Sequence, residues 1–157
     1  MKDLRIDFEP FVDDGTRKFI TDGVDNHNIA ATGQAGYFPA NFVMQSERGE
    51  VLGGLLGGIW GGWLQINILW VAEAFRGVGW GGRLLAGAED YARERGCTGV
   101  SLDTFSFQAR PFYEHHGYTV FGALADCPPG HQRLFLQKRL GPSDGGGRSA
   151  PRRGGDG

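Results

Sequence analysis

The sequence has only two cysteines, Cys97 and Cys127, thirty residues apart, and neither sits in a C-x-x-C unit. With four scattered histidines they form no zinc-ligand spacing, so no metal is expected. Both thiols are expected to be reduced, as in a cytoplasmic protein. Neither sign of charge is in excess: 16 Lys and Arg against 18 Asp and Glu leave a net charge of -2, with no long basic run in the body of the chain. That balance gives no footprint for nucleic acid or an anionic membrane. The start, MKDLRIDFEP, mixes charges instead of leading from a basic stretch into an apolar one, and does not read as a signal peptide. An uninterrupted apolar span is missing too. Residues 51–71, VLGGLLGGIWGGWLQINILWV, come nearest, but Gln65 and Asn67 interrupt them and six glycines dilute them. Two strands with a turn at Gly61-Gly62 fit that stretch better than a membrane helix. The last 17 residues contain no Leu, Ile, Val or aromatic and are expected to be disordered. The expectation is therefore one domain over residues 1–140, large enough for a single core, and a Gly/Arg-rich tail over 141–157.

The pattern of the remaining sequence sets the order of elements. LRIDFEP (4–10) predicts a short first strand stopped by Pro10. Residues 13–31 carry Phe19, Ile20, Val24 and Ile29 at broken helical spacing, which predicts one or two loosely joined helices. Strands are expected at 42–47, 51–60 and 63–71, the last alternating Leu64, Ile66 and Ile68 against Gln65 and Asn67. Residues 79–95 give the best helix, with Leu84, Leu85, Ala88, Tyr91 and Ala92 on one stripe, Glu89 and Arg93 on the outer face, and Gly96 as the C-terminal cap. A strand at 99–105, a short helix at about 109–116 and two strands over YTVFGAL and HQRLFLQKRL complete the order. The fold class expected is α/β (α+β), a mixed and mostly antiparallel sheet flanked by helices.

Between the strand at 63–71 and the best helix lies AFRGVGWGGR, in which GVGWGG satisfies G-x-G-x-x-G. Glycines there allow close backbone approach, and the loop delivers its amides at a helix N-terminus beside Arg76, so phosphate binding follows on physical grounds. Asp103, 21 residues after Gly82, stands where a ribose-binding acid of an NAD fold would. Against NAD, five residues (AEAFR) separate Val71 from Gly77, and two hairpins precede the loop, leaving too little parallel sheet for a doubly wound fold. An NAD-dependent oxidoreductase is the remote alternative. The Lys-Ser/Thr ending of a Walker loop is absent.

The loop does match the Arg/Gln-x-x-Gly-x-Gly/Ala pattern of the GCN5-related N-acetyltransferase (GNAT) superfamily, through Arg76, Gly79 and Gly81 after the strand end Leu69-Trp70-Val71. Later, SFQARPFYEHHGY places Ser106, Ala109, Tyr113, Gly117 and Tyr118 on that family's Asn-x-x-Ala-x-x-x-Tyr-x-x-x-Gly-Phe positions, with Ser where Asn is usual. The chain resembles this superfamily over about residues 4 to 140. The resemblance implies a sheet splayed around an acyl-CoA cleft and acetyl-CoA as co-substrate. Backbone groups of Leu69 and Val71 would meet its acetyl and pantetheine portions. The amides of Gly77, Val78, Gly79, Trp80, Gly81 and Gly82 would hold its pyrophosphate, with Arg76 at the edge and Ser106 capping the later helix within reach of it.

The activity implied is N-acetylation of a primary amine, most naturally on a small molecule. Tyr113 takes the position of the acid that protonates the departing thiolate, the alternative being an aromatic that fills core beside Phe112. No carboxylate occupies the strand position where many relatives place a base. Glu73, just past the strand end, is the candidate, with Asp103 nearby and a water relay as the substitute. The acceptor pocket is expected from residues 25–28, Tyr37, Trp60 and Trp63, with His27 the first histidine to consider. His115 and His116 are expected only to end their helix. A protein or peptide acetyltransferase and a non-catalytic acyl-CoA-binding domain are the alternatives. The outer strands are candidates for a homodimer contact.

Overall fold

The computed structural model describes residues 4–141, so all of the C-terminal tail but its first residue lies outside the described residues. The described residues form two compact units, which divide between Gly36 and Tyr37. In the first, residues 4–10 form no strand, and Leu4, Ile6 and Phe8 are exposed. Their alternation supplies a face, but a strand also needs a hydrogen-bonded neighbour, and among the described residues of this unit the only regular element is a helix. That helix, α1 (Asp14–Thr32), is one continuous element where the sequence suggested one or two pieces. Firm ends carry it through Gly15 and Gly23. Asp13 accepts from the Thr16 N–H at 3.0 Å, and Gly33, at φ 68°, returns its N–H to the Ile29 carbonyl at 2.8 Å.

The second unit is a six-stranded sheet carrying two helices. Its elements are β1 (Phe38–Gln45), β2 (Val51–Trp60), β3 (Trp63–Val71), α2 (Trp80–Glu94), β4 (Gly99–Phe105), α3 (Arg110–His115), β5 (Thr119–Ala125) and β6 (Gln132–Arg139). The strand order is β1-β2-β3-β4-β6-β5. Every pairing is antiparallel except β3 with β4, where α2 makes the crossover. β1 begins at Phe38, before the expected start, because Pro39 is tolerated on an edge strand. The apolar run at 51–71 folds as the β2–β3 hairpin, with Gly61 and Gly62 at φ 58° and 78°, the positive values a two-residue turn demands. Among the described residues no helix is long and apolar enough to cross a membrane.

The core lies where α2 and α3 cover the sheet. Leu85, Ala88 and Ala92 of α2 meet Leu55, Leu64, Ile66, Val100 and Leu102, and Tyr113 and Tyr118 close one end. Glu89 corrects the sequence reading. It is 5% exposed and faces inward, not outward. The Tyr118 hydroxyl donates to it at 3.1 Å and Lys138 Nζ at 2.8 Å, with Arg93 at 3.5 Å. Those partners, two of them far away in sequence, make its burial tolerable.

Two features of β3 shape the functional region. Its register with β2 slips between Leu56 and Gly57, which leaves Asn67 unpaired. This bulge shifts the inward face by one residue, from Leu64 and Ile66 to Leu69 and Val71. Ile68, expected inside, is 53% exposed. The parallel pairing with β4 also ends early, at Ile66 with Leu102, and beyond that point the strands part.

Candidate active site

The fork between β3 and β4 opens into a cavity of about 650 Å³ lined by Asn67 to Val71 on one side and Asp103, Thr104 and Phe105 on the other. A second cavity, of about 770 Å³, lies over the glycine loop and the helices. Leu69, Val71, Arg76, Ala109 and Tyr113 line both, so the two are halves of one cleft.

Strand geometry gives the fork a polar edge. Ala72 donates its N–H to the Leu52 carbonyl at 2.8 Å, and along an antiparallel pair alternate residues turn their backbone groups to opposite sides. Ile68 and Trp70 therefore face β2, while the N–H and C=O of Leu69 and Val71 face the opening. The Val71 carbonyl is already engaged there: Arg76 Nε donates to it at 2.7 Å, which fixes the guanidinium between the two halves.

Gly77, Gly79, Trp80, Gly81 and Gly82 line the second half. Gly77 and Gly79 adopt φ of 77° and 93°, and a Cβ at either would meet open space. The first amide of α2 with a backbone partner of helical type is that of Arg83, bonded to the Gly79 carbonyl at 3.1 Å. No side chain caps the helix. The N–H groups of Gly79, Trp80, Gly81 and Gly82 are thus the free donors of a helix start, where the macrodipole is positive. Gly81 and Gly82 do a different job: a Cβ on them would come within 3.3 Å of Phe112 and 2.9 Å of His116, so they let α2 approach α3. Val78 is 71% exposed and is not among the lining residues. The cradle fits a diphosphate, with unpartnered amides, the dipole and Arg76 converging on a space that glycine keeps open.

Tyr113, 7% exposed, is both core and cleft, packed edge-on against Phe112 and lining both halves. Burial, reinforced by the negative charge of Asp103, pushes its phenol up to about 12. Its proton is retained throughout the neutral range.

Several expected residues fall elsewhere. Glu73 is exposed on the 3-10 turn after β3 (Glu73–Phe75) and lines neither half. Ser106 does not cap α3, which begins from Ala109 with no side-chain cap. Its hydroxyl instead accepts from the Gln132 N–H at 3.0 Å, because the end of β4 is bound into its pairing with β6. Trp60 and Trp63 flank the β2–β3 turn, and β3 runs its length from that turn to the fork. Tyr37 lies over Gly58 of β2. Within the first unit, residues 25–28, His27 included, are helical and form part of α1. His115 and His116, expected only to end α3, line the glycine-loop half. The sequence reading missed Trp70 and Phe105 as walls of the fork, and Gln108, whose Oε1 accepts from the Phe105 N–H and Thr104 Oγ1 at 3.2 Å. Gln108 lies inside the SFQARPFYEHHGY motif, which was the available signal. Among the described residues no cluster of three or more His, Cys, Asp or Glu is placed to hold a metal.

The chain has recognisable relatives among known proteins. The Acetyltransferase (GNAT) family matches residues 5–118. Acetyltransferase Atu2258 of Agrobacterium fabrum is 37% identical over 123 residues, 78% of this chain and 90% of that protein. Blasticidin-S acetyltransferase of Streptomyces morookaense is 45% identical over 95 residues, 60% of this chain and 70% of that one. A crystal structure of an Agrobacterium tumefaciens protein assigned to the acetyltransferases superposes with a TM-score of 0.82 at 34% identity, over 87% of this chain and all of that one.

Proposed function

Because the chain belongs to the GNAT acetyltransferase family, we propose that it transfers the acetyl group of acetyl-CoA to a primary amine of a small molecule. The observation that carries this reading is the continuity of the cleft, which joins an anion cradle to a fork through Leu69, Val71, Arg76 and Tyr113. A substrate with a diphosphate at one end and an uncharged reactive arm at the other matches that sequence of environments. The relative named for blasticidin S favours a small acceptor over a polypeptide.

The residues divide the work. Amides of residues 79–82 and Arg76 take the diphosphate charge. The free N–H and C=O groups of Leu69 and the N–H of Val71 order the arm as an added strand would, holding the thioester carbonyl at the fork. Acetyl-CoA supplies a thioester whose carbonyl carbon bonds to the amine nitrogen as the carbon–sulfur bond breaks. Tyr113, protonated at neutral pH, donates a hydrogen bond to the departing sulfur, and the proton the sulfur finally carries replaces one lost by the nitrogen. Glu73, exposed and outside the cleft, could accept a proton only through water.

The test is acetyl-CoA-dependent thiol release in the presence of blasticidin S and a panel of small primary amines. Turnover with at least one amine, with the acetyl group recovered on its nitrogen, supports the proposal. Binding of acetyl-CoA without turnover of any acceptor would make the chain a binding domain instead.

A further inference from the structure

The fork has a single carboxylate among the described residues that line it, Asp103. It is the first residue of β4 past the last β3–β4 pair, so it stands where the strands part. We propose that Asp103 is the acceptor-binding residue of this site, taking the acceptor's amino group at the fork, and that the acceptor is an arylalkylamine whose flat apolar body lies against Trp70, Ile68 and Phe105. This inference rests on the reading of the chain as an amine acetyltransferase and names the class of acceptor.

Three observations support it. The first is that the carboxylate is both fixed and available. Arg133 Nε donates to Oδ2 at 2.8 Å, while Oδ1 has no partner among the described residues, and the side chain keeps 27% of its surface exposed. An ionised carboxylate is an acceptor only, suited to N–H donors. The other charged lining residue, Arg76, is turned to the Val71 carbonyl and also lines the glycine-loop half. Arg76 therefore serves the diphosphate end, and the unpartnered Oδ1 of Asp103, whose other oxygen is paired with Arg133, serves the acceptor end.

The second is the wall opposite. Ile68 is 53% and Trp70 51% exposed, and both line the fork. Apolar side chains stand at 68 and 70 because the bulge at Asn67 reversed the faces of β3, so the same irregularity that brings Leu69 and Val71 inward puts an apolar surface outward. Phe105 adds a ring braced by stacking on Phe107 at 5.4 Å between centroids. Flat aromatic faces favour a flat apolar body and also attract a cation beside it. The third is the relation to Tyr113. Both residues line the fork, so an amine on Asp103 lies in the same cavity as the residue placed to meet the leaving sulfur.

The test uses the enzyme saturated with acetyl-CoA, with 2-phenylethylamine and tryptamine as probes and 2-phenylethanol as the neutral counterpart. The expected result is acetylation of the amines and at least tenfold weaker binding of the alcohol. Asp103→Asn should raise KM for the amine about 10- to 100-fold, the worth of a charged hydrogen bond. The KM for acetyl-CoA should stay unchanged, the melting temperature should fall by no more than loss of the Arg133 ion pair explains, and Asp103→Glu should recover part of the loss. An unaltered amine KM in Asp103→Asn would overturn the role of Asp103. Loss of acetyl-CoA affinity along with amine affinity would make the residue structural and overturn it equally. Acetyl-CoA binding with neither amine bound nor acetylated would overturn the acceptor class alone. No acetyl-CoA binding in the wild type would remove the reading beneath it.

Discussion

Alanine placed at the two ends of α2 separates the loop's role in binding from its role in folding. Gly79 precedes the helix at φ 93° and Gly96 follows it at φ 70°. A Cβ at either position would meet nothing within 4 Å. Gly79→Ala and Gly96→Ala therefore carry the same penalty, the left-handed backbone conformation, worth about 1–2 kcal/mol each. For a chain of this size that lowers the melting temperature by roughly 2–8 °C. Their effects on acetyl-CoA should differ. Gly79 lines the cleft and carries one of the free donors, so distorting it loses at least one charged hydrogen bond, about 1.5–3 kcal/mol, or roughly 10- to 150-fold in affinity. Gly96 is a whole helix away from the cradle, and its variant should bind normally. Thermal melts with calorimetric titration of acetyl-CoA read both quantities on the same samples. Equal loss of stability with unchanged affinity in both variants would refute the loop as a diphosphate cradle.

Other outcomes follow from the same structure. Tyr113→Phe should lower kcat about 10- to 100-fold and leave acetyl-CoA affinity unchanged, since phenylalanine keeps the packing with Phe112 and removes only the donor; steady-state kinetics with titration check it. Glu89→Ala should cost about 3 kcal/mol in denaturant melts, because it strands the Tyr118 hydroxyl and the Lys138 ammonium, and Glu89→Gln should cost less because an amide oxygen still accepts from Tyr118. Stability should also fall on the alkaline side. The Tyr113 phenol is raised from 10 in the unfolded chain to about 12 in the fold, so the native state holds a proton the unfolded state has lost. That contribution is complete below pH 10 and disappears up to about pH 12, at about 1.4 kcal/mol per pH unit. Tyr118, raised by burial and by Glu89, acts in the same direction. Denaturant melts between pH 8 and 12 should show the decline, with a shallower slope in Tyr113→Phe.

Legibility in the sequence tracked the range of the forces concerned. The bounds of β2, β3 and β4 coincide with the apolar runs that announce them, because turn glycines and strand periodicity are local. The glycine loop was legible for the same reason, lying between a strand and a strongly periodic helix. What depended on distant partners was misread. Residues 4–10 alternate like a strand but have no neighbour to pair with in their unit, and Glu89 looks like an outward charge until Tyr118 and Lys138 arrive from later in the chain. The bulge at Asn67 was hidden because a polar residue there suits the unbroken alternation as well as the broken one. Its trace was that residues 68–71 are apolar at both parities. In the sequence the carboxylate at the fork stood out as the ribose-binding acid an NAD fold would need and as an acid near the base candidate, and its place past the last β3–β4 pair required the sheet register.

Calorimetric titration of the purified protein with acetyl-CoA, alongside NAD under the same conditions, tests the central proposal most directly. One-to-one binding of acetyl-CoA with none of NAD is the predicted result. Failure of acetyl-CoA to bind would contradict it, leaving the free amides of residues 79–82 as a helix start and nothing more.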